Sequence, residues 1–110
     1  MNQTLFDDYS RTVIDKTWGF SGRLETHKDH LVNAVMGLVG EAGEVANVLK
    51  KSLYHLPRDY KERFIDELGD VWYYLIKTHN LLEIPIEDAL HYNQQKLMAR
   101  YPDRFAKEVE

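Results

Sequence analysis

The stretch "GLVGEAGEVANVLKK", residues 37–51, has the apolar spacing of a helix, with Leu38, Ala42, Val45 and Leu49 three or four positions apart. It also carries two things a helix tolerates poorly: glycines at 37, 40 and 43, and glutamates at 41 and 44. An interior glycine costs roughly 1 kcal/mol relative to alanine. A buried carboxylate costs more unless something positive lies beside it. A segment that accepts both penalties has a use for them, and the rest of the chain indicates what that use is.

Apolar residues recur at helical spacing on either side of this stretch, and no window alternates with period two long enough to argue for a strand, so the expected fold is all-α, a four-helix bundle. Thr4 is expected to cap a first helix over roughly residues 5–15, followed by the loop "KTWGFSGRLE". Thr26 with Asp29 resembles a capping box for a second helix that carries Leu31, Ala34, Val35, Leu38, Ala42, Val45 and Leu49 to about Leu53. Pro57 suits the first turn of a third helix, striped by Phe64, Leu68, Val71, Trp72 and Leu75 and ending near His79. Pro85 opens a fourth, with Ala89, Tyr92 and Leu97, which ends near Tyr101 because Pro102 disfavours helical geometry in the residue before it.

Within these stripes Glu41 stands among Leu38, Ala42 and Val45, and Glu67 among Phe64, Leu68 and Val71, with Glu44 and Asp70 one turn on from each. The short connection "YHLPRDY" favours antiparallel packing of helices two and three. Glu41 and Glu44 then face Glu67 and Asp70, and four carboxylates so close cannot all remain ionised without a cation. Oxygen donors alone favour a hard ion, Mg²⁺ or Mn²⁺, which retains waters that a phosphate can displace. The glycine row beside the acids would let a second backbone or a ligand approach.

Composition bounds the remaining classes. At 110 residues the chain is expected to form one domain spanning 1–110, small enough for self-association to add burial. Fourteen basic against eighteen acidic residues, a formal charge of −4, argue against a nucleic-acid partner. The longest strongly apolar run, "VWYYLI" at 71–76, is too short to span a bilayer, and the N-terminus lacks the build of a secretory signal. With no cysteine, the chain suits a reducing compartment, and a cytoplasmic location is expected.

The sequences "GLVGEAGEV" and, after a spacer, "DELGDVWYYL", joined by the tail "NQQKLMARYPDRF", resemble the MazG-like all-α nucleoside triphosphate pyrophosphohydrolases from about residue 30 to 105. The resemblance implies a helical bundle assembled as a homodimer or homotetramer, Mg²⁺ dependence, and hydrolysis of an NTP or dNTP to the monophosphate and pyrophosphate. It places Glu41, Glu44, Glu67 and Asp70 as metal ligands and catalytic acids.

The tail also has a reading of its own. Asn93, Lys96 and Arg100 lie at i, i+3 and i+7 and present amide, ammonium and guanidinium along one face, as a triphosphate grip requires. Lys51, seven residues after Glu44, shares that residue's face, whereas Lys50 reads as solvated. For the nucleobase the sequence offers Trp18, Phe20, His30, Asn33 and Tyr74, of which Trp18 and Tyr74 are taken as substrate contacts.

Two readings from other classes compete. A di-iron or di-manganese carboxylate oxidoreductase would need Glu-x-x-His pairs, and neither His79 nor His91 has a Glu three residues before it. A non-catalytic helical interaction module would have no need of the four acids, and all four are present.

Overall fold

A computed structural model describes residues 3–17, 26–55 and 58–104, which are helical or in short turns with no strand among them. The first helix, α1 (Gln3–Tyr9), runs through a π-helical turn, Ser10–Ile14, into one further α-turn, α2 (Asp15–Thr17). The junction residues Tyr9 (φ −61°, ψ −42°) and Asp15 (φ −63°, ψ −35°) keep helical geometry, so the three segments form one rod. Thr4 lies inside its first turn rather than capping it.

Helix α3 (His27–His55) starts as the sequence indicates. The Asp29 N–H donates to Thr26 Oγ1 at 3.1 Å and the Thr26 N–H faces Asp29 Oδ2 at 3.4 Å, a reciprocal capping box. Helix α4 (Tyr60–Leu82) begins after Asp59, three residues beyond the expected Pro57, which itself lies outside the described residues. It also runs past His79 to Leu82. It stops where Glu83 adopts left-handed geometry (φ 55°, ψ 38°), which lets the Glu83 N–H reach Asn80 O and the Ile84 N–H reach His79 O. Pro85 precedes α5 (Ile86–Arg100), and Tyr101 ends it with its N–H on Leu97 O.

Helices α3 and α4 form an antiparallel pair that is the backbone of the molecule. The ring N–H of His27, at the start of α3, donates at 2.7 Å to the carbonyl of Leu81, at the end of α4. The N-terminal rod lies against α4: Phe6 meets Trp72 with ring centroids 6.0 Å apart, Asn80 donates to Ser10 Oγ at 3.0 Å, and Thr17 shares a 2.7 Å hydrogen bond with the Tyr73 hydroxyl. The first residue of α5, Ile86, joins Ile14 and Ile76 in a buried cluster flanked by Phe6, Tyr9 and Tyr73. Burying each such isoleucine stabilises the fold by roughly 1.5–3 kcal/mol.

This core is small. Ala34 is fully buried, but Met36 and Val39 on α3 are each 62% exposed and Ile65 on α4 is 69% exposed. The radius of gyration is 17.4 Å, against roughly 13 Å for a compact chain of this length. No described helix is long and apolar enough to cross a membrane.

Candidate metal centre and its cavity

The antiparallel pair brings Glu41 of α3 opposite Glu67 and Asp70 of α4, and each of the three offers a carboxylate oxygen within 4.8 Å of the others. Glu67 and Asp70 are one helical turn apart, so they share a face. Burial raises the Glu41 carboxyl above the usual carboxylate range, and the charges of Asp70, Glu44 and Asp66 push the same way, while a hydrogen bond with Glu67 works against them. Glu67 is raised by burial and then by Asp66, Glu41, Glu44 and Asp70. Glu44 is exposed and stands outside the close trio, yet its charge reaches both residues. Asp66 contributes to the field as well, which the motif spacing does not reveal. Among the described residues the trio contains carboxylates alone, without histidine, which is the donor set of a hard cation and not of a di-iron centre.

A cavity of about 520 Å³ opens beside the acids, lined by Thr17, Asn33, Glu41, Asp70, Tyr73, Tyr74 and Lys77. On α4, Asp70, Tyr74 and Lys77 stand at i, i+4 and i+7 and form one stripe along it. Tyr74 thus lines the cavity beside the acids. Its hydroxyl is held above the usual phenol range by burial, then by Tyr73 and the charges of Glu41 and Asp70. Gly37 provides the space for its ring, since a Cβ there would lie 2.6 Å from Tyr74 Cδ1. Gly40 and Gly43 meet nothing within 4 Å among the described residues, so within these only Gly37 of the glycine row answers to a close approach.

Of the other expected contacts, Lys51 and the residues of α5 stand apart from this cavity. Lys51 is exposed and lines a second cavity of about 280 Å³ with Asn47, Lys50 and Tyr54. Asn93, Lys96 and Arg100 are exposed on α5 and do not line the cavity beside the acids. Trp18 and Phe20 fall outside the described residues. His30 is buried without lining the cavity, whereas Asn33 lines it. Sequence reasoning missed Thr17, Tyr73 and Lys77. Spacing from Asp70 would have found Lys77, but Thr17 enters through a tertiary contact with Tyr73 that no local pattern encodes. Lys77 is almost wholly enclosed, 1% exposed, and burial holds its ammonium below the usual lysine range.

Fold and site together define an all-α protein whose central helix pair carries an all-carboxylate cluster suited to a divalent cation. Residues 30–105 match the MazG nucleotide pyrophosphohydrolase domain, and the chain belongs to that family. It is 38% identical over 69 residues to the "Gene 37 protein" of Mycobacterium phage L5, an alignment covering 59% of this chain and 60% of that protein. The chain therefore matches less than two thirds of this relative's length. No solved structure matches it.

Proposed function

We propose that this chain is a single-domain enzyme that hydrolyses nucleoside triphosphates, NTP or dNTP, to the monophosphate and pyrophosphate with Mg²⁺ or Mn²⁺, as a cytoplasmic nucleotide-pool activity. The observation that carries the reading is the convergence of Glu41, Glu67 and Asp70 from two helices, with Glu41 and Asp70 lining one edge of a cavity of about 520 Å³. Two of those acids, Glu41 and Glu67, are raised by burial and then by neighbouring carboxylate charges, and a cation would relieve that repulsion.

In this reading Glu41, Glu44, Glu67 and Asp70 hold the ion. When bound, the cation supplies charge neutralisation on phosphate oxygens and a more acidic water. The chain's own groups do the rest. A carboxylate of the cluster, Glu41, Glu44 or Glu67, accepts the proton of the attacking water. Attack falls on the α-phosphorus, and Lys51, Lys96 and Arg100, with the Asn93 amide, receive the departing pyrophosphate. Tyr74 lies beside the acids with a hydroxyl to donate to substrate.

The basic residues of α5 stand away from the cavity, which fits their delivery from a second copy of the chain. Self-association as a homodimer or homotetramer is supported by the exposed Met36, Val39 and Ile65 and by the open shape of the single chain.

The test is Glu44→Gln beside Glu67→Gln, each assayed for pyrophosphate release with circular dichroism as the fold control. Both should lose at least about a hundredfold in rate, as when a principal electrostatic group is removed. Hydrolysis at the parent rate in Glu44→Gln would overturn its place in the site.

A further inference from the structure

The two directions away from the acid cluster are unlike. Because α3 and α4 are antiparallel, the direction toward Lys50 and Lys51 on α3 is the direction toward the start of α4, and the direction toward Asn33 is the direction toward Lys77. At the first end the two lysines are exposed and border a smaller cavity of about 280 Å³. At the second, Lys77 is the only cationic side chain among the described residues that line the main cavity, in company with the phenols of Tyr73 and Tyr74, the Thr17 hydroxyl and the Asn33 amide. Its ammonium lies 5.8 Å from the centre of the Tyr73 ring. Seven residues along a helix, it stands about 10.5 Å beyond Asp70 in axial rise.

A triphosphate carries several charges and fits the end where two exposed lysines stand. The phenols of Tyr73 and Tyr74 beside Lys77 offer flat faces and hydroxyls that suit a nucleobase instead. An ammonium has three donors and no acceptor, so it selects an acceptor atom and disfavours an amino group in the same place.

We infer that Lys77 is a specificity-determining residue at the nucleoside end of the cavity, donating to an exocyclic carbonyl oxygen of the base. It thereby favours uracil, thymine, cytosine or guanine nucleotides over adenine nucleotides, whose exocyclic group is a donor. Asn33, with both a carbonyl and an amino group, supplies the complementary contact across the cavity from α3. The inference builds on the proposed reaction only in placing the phosphates at the acids, and it is tested by binding, without turnover.

Calorimetry on the full chain with Mg²⁺ would compare dUMP, dTMP, dCMP, dGMP and dAMP with inorganic tripolyphosphate, which has no base. The parent should bind at least one carbonyl-bearing nucleotide about tenfold more tightly than dAMP, as one charge-assisted hydrogen bond allows. Lys77→Met should remove most of that preference while leaving dAMP and tripolyphosphate within about twofold, and Lys77→Arg should restore part of it. Equal weakening of tripolyphosphate would make Lys77 a phosphate contact, and uniform weakening of every nucleotide would make it a packing residue; either overturns the inference. Should Lys77→Met fail to fold, the parent decides, because dAMP bound as tightly as every other nucleotide contradicts it. A base preference that depends on Lys77 in a chain that hydrolyses no triphosphate would leave this inference standing and defeat the proposed reaction.

Discussion

Gly37 of α3 lies directly under the ring of Tyr74 of α4, so close that a Cβ at residue 37 would stand 2.6 Å from Tyr74 Cδ1. The glycine that weakens the helix is therefore what allows a phenol to reach the edge of the acid cluster. Gly37→Ala should cost about 1–3 kcal/mol, the range of an overpacked contact. Gly40→Ala, with nothing within 4 Å among the described residues, should gain up to about 1 kcal/mol from helix propensity. Urea denaturation of the two variants measures both, and a loss at Gly40 would mean that a second copy covers it.

The cluster makes stability depend on pH in a definite direction. Glu41 and Glu67 are raised above their usual value of 4.5, so between that value and their folded values the folded chain holds more protons than the unfolded one. Stability without metal therefore falls as pH rises through this window and is greatest below it. Mg²⁺ should reverse part of the fall by binding the ionised form. Glu67→Gln should flatten the metal-free profile. Urea midpoints from pH 4 to 8, with and without Mg²⁺, give the comparison, and a metal-free midpoint that climbs through the window would contradict the account.

Glu83 ends α4 in left-handed geometry at φ 55°, where a side chain is strained. Glu83→Gly should raise stability by about 1 kcal/mol, visible as a higher melting temperature with unchanged nucleotide hydrolysis. No gain would mean that the Glu83 side chain compensates for its backbone.

Met36 and Val39 belong to the exposed face of α3, and a charge placed there should break the proposed assembly. Val39→Glu is expected to sediment as a monomer and, lacking the neighbour's α5 residues, to lose activity. An active monomer of the parent protein at micromolar concentration would contradict the assembly.

Much of the fold was legible because its signals are local. The Thr26–Asp29 box, the stop before Pro102 and the start at Pro85 each depend on a few adjacent residues, and each is found where spacing places it. The end of α4 was misplaced because nothing in Glu83 announces a left-handed residue; glycine is the usual sign. The acids were legible because carboxylates inside an apolar stripe conflict with their surroundings, whereas Asp66, on no stripe, gave no such signal although its charge reaches Glu67. Thr17 and Tyr73 depend on how the N-terminal rod lies on α4, a tertiary contact across 56 residues.

The most direct measurement is phosphorus NMR of the products formed from a panel of nucleoside triphosphates with and without Mg²⁺. Monophosphate and pyrophosphate are expected in equal amounts, only with metal, and no turnover of a monophosphate. Nucleoside diphosphate and inorganic phosphate as first products, or the same products without any divalent cation, would contradict it.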